Sequence, residues 1–380
     1  MVHEAKQRSG SISAVSVTRN TRGCRFAQDH PGTEQLILMS EWPDPEIERD
    51  GVEQIGIAKE MGLALNWNLG AARATGDYVL FWDDRYELAP GGLKALTEAL
   101  ESDPAVGAVG PLISKLAINP RAMSAKPTEV DRLGSAGLLV RRELLDKIGG
   151  FDPAIATTDW LVHDFCMRAQ LVGYRLLQVD AAAAMQRSGE RYEDDETQLH
   201  AWEAFAEKWS LPAGRNPVDS WSDKDIEGVL LDHRQHYVPL RVSPLPLVEA
   251  TGTRFLTHVH AEDSTWEQHV SCYLEAFDGA DDVTLMLRIE DSEQTDDVIQ
   301  KIQNIAEQRG TRIEDTPDLL LVDLPFRPGD QASLFASAHA ALPDASPANR
   351  AHLRLAELTG CPVVQEVTPS SLRAALKEGA

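Results

Sequence analysis

Residues 62–85 read GLALNWNLGAARATGDYVLFWDDR, and they contain the segment that decides the fold of the N-terminal half. The run 77–82 is apolar after its first residue and is long enough for a buried strand. It stops at Asp83, Asp84 and Arg85, so three charged side chains follow the strand directly. The pattern predicts a buried strand whose carboxyl end carries a cluster of charged groups.

Strand-like and helix-like segments alternate on both sides of this run. We predict strands at residues 13–18, 34–39, 106–111, 135–140 and 174–179, and helices at 52–65, 68–74, 90–100, 142–148, 160–172 and 195–209. Gly149 and Gly150 are expected to end the helix before them, because glycine adopts left-handed backbone most readily. The alternation predicts an α/β domain with a mostly parallel sheet flanked by helices.

A second α/β pattern follows a segment rich in Pro, Ser and Asp. We expect one domain over residues 1–210, a connector over 211–250 and a smaller Rossmann-like α/β domain over 251–380. Its strands are predicted at 253–258, 283–287, 319–322 and 361–364, and its helices at 265–277, 294–308 and 348–359. No GxGxxG motif follows its first strand, so the dinucleotide-binding fingerprint is absent.

The composition disfavours several function classes. A formal net charge of −24 over 380 residues opposes nonspecific binding to nucleic acid or anionic lipid. No apolar run reaches the roughly 18 residues of a transmembrane helix, and residues 1–10 lack the apolar core of a signal peptide. Four cysteines without a CxxC pair argue against a cysteine zinc site or a disulfide framework. We therefore expect an acidic cytoplasmic protein with no transmembrane segment and no nucleic-acid partner.

Two ordered blocks of sequence carry a family resemblance. The first is residues 62–85; the second comprises Gly137–Glu143, Gly149–Asp152, Asp164–Arg168 and Gly173–Arg175. Together they resemble the family 2 glycosyltransferases, over residues 12–192. The resemblance implies a GT-A-type nucleotide-sugar fold that transfers a sugar, with inversion, to a hydroxyl of a glycan, lipid or protein acceptor.

The resemblance also implies a donor site at the carboxyl edge of the sheet. Its candidate nucleotide-sugar residues are Thr18, Asn20, Ser40, Glu41, Asn68, Asp83, Asp84 and Arg85. Asp83 falls on the first aspartate of the Asp-x-Asp motif, which would hold Mn²⁺ or Mg²⁺, and Arg85 falls on the second. A guanidinium cannot ligate a cation because it is always protonated and only donates hydrogen bonds. Arg85 therefore either replaces the cation beside the diphosphate, or marks the loss of metal-dependent activity, or forms a plain surface ion pair.

The position of the general base departs from the family in the same way. Aligning Asp164 with the family segment puts Leu161 and Val162 where the family has Glu-Asp, and neither can accept a proton. Asp159 and His163 flank this gap and are the candidate bases. The alternatives are a solvated helix N-cap for Asp159 and an ordinary helix-surface position for His163.

The C-terminal part carries a weaker resemblance. Residues 353–364 are similar to the last helix and strand of the nucleotide-binding half of GT-B-type glycosyltransferases, although Glu357 alone stands near that family's paired glutamates. His258 and His260 lie at the end of a predicted strand, where such folds bind ligands. Alternation on a strand puts both on one face, which fits a phosphate or metal site or two ordinary polar residues.

Three functions are compatible with these patterns. The first is a glycosyltransferase, metal-independent if Arg85 stands in for the cation. The second is a catalytically inactive relative that binds a glycan, a nucleotide or a partner enzyme during polysaccharide assembly, alone or as a homo-oligomer. The third is a different two-domain α/β enzyme such as a nucleotidyltransferase, which the two family-like blocks disfavour.

Overall fold

The chain forms two compact units in a computed structural model. The structure describes residues 10–18, 33–40, 50–57, 62–114, 126–186, 195–211, 237–260, 263–326, 329–344 and 349–378. One unit comprises residues 1–57 and 61–241, and the other comprises residues 58–60 and 242–380. Within the described ranges, every helix falls short of the length and apolar character needed to span a bilayer.

A nine-stranded sheet organises the N-terminal unit. Its strands are β1 (Ile12–Thr18), β2 (Gln35–Ser40), β3 (Val52–Gly56), β4 (Tyr78–Asp83), β5 (Tyr86–Leu88), β6 (Val106–Ser114), β7 (Thr128–Glu129), β8 (Gly137–Arg141) and β9 (Arg175–Gln186). Their order is β3-β2-β1-β4-β8-β6-β9-β5, with β7 paired to β9. Strands β5, β7 and β8 run opposite to the others. The predicted α/β fold with a mostly parallel sheet flanked by helices is therefore confirmed.

The helices of this unit follow the predicted segments closely from residue 90 onwards, while α1 joins parts of two predicted helices. They are α1 (Gly62–Arg73), α2 (Gly92–Glu101), α3 (Arg142–Ile148), α4 (Thr158–Leu171) and α5 (Asp195–Lys208). Helix α3 ends at Gly149, as predicted from the glycine pair; its φ of 73° is positive, but its ψ of −157° places it outside the left-handed helical conformation, in a region that is essentially restricted to glycine. A Cβ at this position would lie 1.7 Å from the carbonyl oxygen of Val238, which bridges to Gly149. Glycine is therefore required there for both backbone angle and space.

The prediction of a helix over residues 52–65 was wrong in its first part. Residues Val52–Gly56 form β3, an outer strand that pairs in parallel with β2 from Leu36↔Val52 to Ser40↔Gly56. The segment's β-branched residues favour a strand, and pairing along β2 supplies hydrogen bonds that a helix would have to make internally. Helical periodicity in so short a segment could not decide between the two.

The buried strand β4 lies at the centre of the core, and all six of its residues are buried. Behind it, the rings of Trp67, Phe81, Phe151 and Phe165 pack with centroid separations of 4.8 to 5.7 Å. Aromatic pairs in such arrangements add about 0.5–1.5 kcal/mol each beyond the area they bury. Packing of these rings thus fixes both helix α1 and strand β4, the two elements that precede Asp83 in the chain.

Asn68 joins helix α1 to the turn that follows α3. Its side-chain Nδ2 donates to the carbonyl of Phe151 and its Oδ1 accepts from the Phe151 N–H, both at 2.7 Å. The side chain is fully buried. Both halves of the amide are therefore used to satisfy one backbone residue 83 positions away.

A four-stranded parallel sheet forms the centre of the C-terminal unit. Its strands are β10 (Thr253–Val259), β11 (Val283–Ile289), β12 (Asp318–Val322) and β13 (Ala340–Ala341), in the order β12-β11-β10-β13. Its helices are α6 (Thr265–Ala276), α7 (Thr295–Gln308), α8 (Asp330–Ser337), α9 (Asn349–Thr359) and α10 (Pro369–Glu378). The predicted strand at 361–364 is reduced to one bridge between Ala341 and Val363, because Pro362 interrupts the ladder of donors.

We predict that Asn68→Ala destabilises the N-terminal unit by about 2–5 kcal/mol, since it leaves a buried N–H and a buried C=O of Phe151 without partners. Asn66→Ala is the matched control. Asn66 lies on the same helix and is equally buried, but it makes only a local bond to the Gly62 carbonyl at 2.8 Å. Its replacement should change stability by no more than about 1 kcal/mol. Urea unfolding followed by circular dichroism measures both; equal losses would contradict the role assigned to Asn68.

Candidate functional site

Three of the predicted donor-site residues meet at the carboxyl edge of the large sheet. Thr18 is the register partner of Ser40 across β1 and β2, and Val17 is the partner of Asp83 across β1 and β4. Thr18, Ser40 and Asp83 are all buried. Asn20 and Glu41 lie outside the described residues. The structure thus brings the strand-end residues together, as expected for parallel neighbours, while their role in binding stays a prediction.

Asp83 and Arg85 form a closed ion pair at this edge. The Arg85 Nε lies 3.0 Å from Oδ1 and 2.8 Å from Oδ2 of Asp83, and Nη2 lies 2.5 Å from Oδ2. The backbone N–H of Arg85 also donates to Oδ1 at 3.0 Å. The two residues are only 5% and 6% exposed. The ion pair that the sequence suggested as an alternative is therefore present, but it is buried and does not lie on the surface. Both carboxylate oxygens of Asp83 already accept hydrogen bonds.

The start of helix α4 adjoins this pair. Arg85 Nη2 donates to the hydroxyl of Thr158, the first residue of α4, at 3.0 Å. Asp159 follows inside the first turn and is exposed. It is not the N-cap that the sequence suggested as an alternative, because the helix begins one residue earlier, with Thr157 as its cap residue. Asp159 is therefore an accessible carboxylate next to a residue that touches the ion pair.

The other candidate base lies in an apolar environment. His163 is 7% exposed, so its interpretation as a helix-surface residue was wrong. Its ring stacks on Trp160 at 5.8 Å and packs against Phe205 at 5.2 Å. Burial lowers the pKa of His163 to about 4, with a smaller contribution from the nearby Arg132 charge. The ring is consequently neutral at pH 7, and it is a weak base enclosed by aromatic side chains.

Asp164 is the centre of a buried polar network. Its Oδ2 accepts from Arg168 Nε at 2.9 Å, while its Oδ1 accepts from Trp209 Nε1 at 3.0 Å and lies 2.8 Å from Lys208 Nζ. Burial disfavours its charge, but Arg168 and Lys208 outweigh this effect and hold the pKa of Asp164 below its usual value. Arg168 also donates to the carbonyls of Ile148 and Gly150 at 2.8 and 2.6 Å. The network therefore fixes α4 to α5 and to the turn after α3.

Comparison with known proteins bears on the segment that contains the ion pair. Residues 46–149, from β3 to the end of α3, match the family model described as Glycosyl transferase family 2. The resemblance to family 2 glycosyltransferases is confirmed. No curated protein matches the chain.

Several solved structures resemble part of the chain at low identity. GalNAc-T7 is 14% identical over 53% of this chain and 48% of its own, with a TM-score of 0.44. A mannosyltransferase from Pyrobaculum calidifontis is 16% identical over 53% and 62%, with a TM-score of 0.38. S. aureus TarS is 17% identical over 54% and 40%, with a TM-score of 0.39. The chain spans about half the length of the first of these, and similarity at this level carries no argument about activity.

The resemblance places Asp83 and Arg85 at the two positions of the Asp-x-Asp motif, and in this structure the two side chains form an ion pair. It places Leu161 and Val162 at the base positions. These two residues lie outside the matched range 46–149, are each 1% exposed and belong to the core. Asp84, between the paired residues, is half-buried in the turn. The described residues therefore offer Asp159 as the accessible carboxylate of this edge and offer no Asp-x-Asp pair.

A cavity of about 680 Å³ lies elsewhere in this unit, lined by residues of α2, β6, β7 and β9. At its rim Arg175 pairs with Glu129 at 2.6 Å and with Asp103 at 2.9 Å. None of the predicted donor-site residues lines it. It is thus separate from the strand-end site.

Sequence reasoning missed two residues of these networks. Thr158 accepts from Arg85, and Lys208 lies between Asp152 and Asp164, at 2.6 and 2.8 Å. Neither has a motif of its own, because each is defined by a contact with a residue distant in sequence. The spacing of Trp202, Phe205 and Trp209 on α5 was the available signal for the second, since aromatic residues at helical spacing indicate a helix that packs against other elements.

We predict that His163→Phe removes a pH-dependent loss of stability. Below pH 6.5 the unfolded chain protonates this imidazole, while the folded protein resists until about pH 4. The contribution of the neutral His163 ring to the free energy of unfolding is therefore complete above pH 6.5, declines as the pH falls, and is fully lost below about pH 4. This contribution amounts to about 3 kcal/mol. Urea unfolding at pH 7.5 and 4.5, followed by tryptophan fluorescence, measures the difference.

His200→Phe is the matched control for this experiment. His200 lies on α5 and is exposed, so its replacement should leave the pH dependence as in the wild type. If His163→Phe changes the pH dependence no more than His200→Phe does, then the ring of His163 is not held neutral by its surroundings.

Proposed function

We propose that the N-terminal unit binds a nucleotide sugar and transfers its sugar to a hydroxyl acceptor without a divalent cation. The family 2 match of residues 46–149 supports glycosyl transfer as the reaction class. The proposal that no metal ion is needed rests on the ion pair, in which the Arg85 Nε lies within 3.0 Å of both carboxylate oxygens of Asp83.

Energetics favour retention of this pair over metal binding. A cation at Asp83 would have to displace the guanidinium and leave a buried charge without its partner. Breaking a buried ion pair in this way costs about 3–5 kcal/mol. The cation would in addition stand beside the positive charge of Arg85, which opposes it further.

The arrangement supplies parts of an in-line displacement. The acceptor oxygen attacks the anomeric carbon while the bond from that carbon to the diphosphate oxygen breaks, so the configuration inverts. Negative charge then develops on the diphosphate. Arg85, oriented by Asp83 and by the hydroxyl of Thr158, is the cationic group that we assign to face it, because guanidinium donors match phosphate oxygens in geometry.

The acceptor proton requires a base, and we assign this role to Asp159. It is the exposed carboxylate in the first turn of α4, next to Thr158. His163 is unsuited, since it is enclosed and its pKa is lowered to about 4. In this scheme the proton leaves the acceptor hydroxyl for the Asp159 carboxylate as the glycosidic bond forms.

A second candidate is an inactive relative that binds the nucleotide sugar but does not transfer it. The burial of Leu161 and Val162 at the base positions favours this function, because the family's base there is replaced by core packing. It differs from the first candidate in one respect only: donor binds, and neither transfer nor donor hydrolysis follows.

The similar structures suggest test donors. GalNAc-T7 was solved with UDP, GalNAc and Mn²⁺, the Pyrobaculum mannosyltransferase with GDP-Man and Mn²⁺, and TarS residues 1–349 with UDP-GlcNAc. These compounds provide UDP-linked and GDP-linked probes for this chain.

We predict that donor affinity and donor hydrolysis by the wild-type chain are the same in EDTA and in Mn²⁺. Arg85→Lys should weaken donor binding by about 10–100-fold, because lysine keeps the charge but loses the fork that carries several charge-assisted hydrogen bonds. Arg85→Asp should abolish metal-free binding and regain part of it when Mn²⁺ is added. Calorimetric titration with UDP-GlcNAc and GDP-Man, together with release of UDP or GDP, measures these effects.

Glu87→Gln is the control, because Glu87 is exposed on β5 two residues from Arg85 and lies outside the proposed site. Binding by wild type only when Mn²⁺ is present would overturn metal independence. Metal-free binding with no release of nucleotide, unchanged by Asp159→Asn, would establish the second candidate over the first.

A further inference from the structure

Four metal-ligating side chains converge at the topological switch point of the C-terminal sheet. From the central strand β10 the chain passes to β11 and β12 on one side and then to β13 on the other. The connections leave in opposite directions, so a crevice opens between the carboxyl ends of β10 and β13, where such sheets bind ligands. His258 lies at the end of β10, His260 just beyond it, Asp344 three residues after β13, and His352 on α9.

The donor atoms of this cluster are close together. One ligand atom each from His258, Asp344 and His352 lies within 4.8 Å of the others. His352 Nδ1 is 2.9 Å from Asp344 Oδ2, and the rings of His258 and His352 stack at 3.7 Å. His260 Nε2 is 3.8 Å from Asp344 Oδ1. A tetrahedral Zn²⁺ with bonds of about 2.0–2.1 Å sets its ligand atoms about 3.4 Å apart. Side-chain movements of about an ångström would therefore bring the ligand atoms of His258, Asp344 and His352 to this spacing.

Burial distinguishes this cluster from ordinary strand-end polar residues. His258, Asp344 and His352 are 2%, 5% and 8% exposed. Among the residues that the structure describes, the buried Nε2 of His260 has no hydrogen-bond partner. A neutral imidazole has one ring nitrogen whose lone pair can bind a metal ion. A divalent cation would satisfy these lone pairs and would neutralise the buried carboxylate.

Helix α8 provides outer contacts of the kind that orient metal ligands. The Gln331 side-chain Nε2 lies 2.6 Å from Nε2 of His258. With the amide turned by 180°, its oxygen would accept from the Nε2–H of His258 and leave Nδ1 of that ring for a metal. Phe335 packs on the His258 ring at 5.4 Å and on the His352 ring at 6.0 Å. The ligand set is thus held by a polar contact and an apolar wall.

We propose that the C-terminal unit holds a divalent transition-metal ion of the Zn²⁺ class, ligated by His258, Asp344 and His352 and completed by His260. Three imidazoles and one carboxylate favour Zn²⁺ and its neighbours over Mg²⁺ or Ca²⁺, which take oxygen ligands. The proposal is independent of the function assigned to the N-terminal unit.

Arg288 is the charge that opposes such an ion. It is the register partner of His258 on β11. Its Nη1 donates to the carbonyls of Ile289, Val322 and Leu324 at 2.8 to 3.0 Å, and its guanidinium stacks over Phe326 at 3.6 Å. These contacts hold the guanidinium at the ends of β11 and β12, where the carboxylates of Glu290, Asp323 and Asp330 interact favourably with its charge.

The test is a Zn²⁺ titration of the full chain, stripped with EDTA and dialysed, against a chromophoric chelator of known affinity. One equivalent should bind. His258→Ala, His352→Ala and Asp344→Asn should lose stoichiometric binding, and Gln331→Ala should weaken it by about 10–100-fold. His339→Gln is the control, because His339 precedes β13 at the opposite end of the sheet, where its Nδ1 accepts from the Arg254 N–H at 3.0 Å.

Zinc X-ray absorption of the wild type keeps the proposal testable if a variant fails to fold. The expected spectrum shows nitrogen and oxygen ligands at about 2.0–2.1 Å with imidazole scattering and no sulfur. Absence of binding at micromolar Zn²⁺, sulfur ligation, or unchanged stoichiometric binding in the folded ligand variants would each overturn the proposal. If no Zn²⁺ binds, Asp344 and His352 form only a buried hydrogen-bonded pair.

Discussion

The buried ion pair between Asp83 and Arg85 constrains what the carboxyl edge of the large sheet can do. The pair follows the fully buried strand β4, so its position is set by the core. Both oxygens of Asp83 accept from Arg85, and the same guanidinium reaches Thr158 at the start of α4. The Arg85 side chain is therefore attached to two elements of the fold. Under the proposed function, a donor that binds here would meet this fixed guanidinium in place of an exchangeable metal ion.

Other polar residues of the family-like blocks stabilise the scaffold. Asn68 satisfies both backbone groups of Phe151, and the fully buried Asp164 links Arg168, Lys208 and Trp209. Removing one partner from such a network is costly because the remaining groups are buried without compensation. Retention of these residues in the sequence therefore has a structural explanation that does not depend on catalysis. Asp159 differs from them, since it is exposed and has no role in the core.

Much of the fold could be predicted from the sequence, because it depends on patterns local to the chain. The apolar run before Asp83 and the glycine pair after α3 predicted a strand and a helix end that the structure confirms. Val52–Gly56 was mispredicted as helix because its strand form depends on pairing with β2, which no local pattern encodes. The C-terminal helix α10 was missed, although its amphipathic periodicity is as strong as that of α9.

The site was predicted in part for the same reason. Parallel strands deliver Thr18, Ser40 and Asp83 to one edge, which topology alone requires. The sequence could not show that Arg85 closes on Asp83, or that His163 faces aromatic rings instead of solvent, because both depend on side-chain packing. Two of the four residues of the C-terminal cluster could be predicted from the sequence, because His258 and His260 alternate at the end of a strand. Asp344 and His352 are distant in sequence and approach His258 only in the folded chain.

The most direct test of the central claim is a crystal structure of the chain with UDP-GlcNAc or GDP-Man and Mn²⁺, with diffraction data collected at the manganese absorption edge. A cation replaced by Arg85 predicts no anomalous peak within coordination distance of Asp83, and a guanidinium still paired with that carboxylate beside the diphosphate. A manganese peak ligated by Asp83, with Arg85 turned away from it, would contradict the claim.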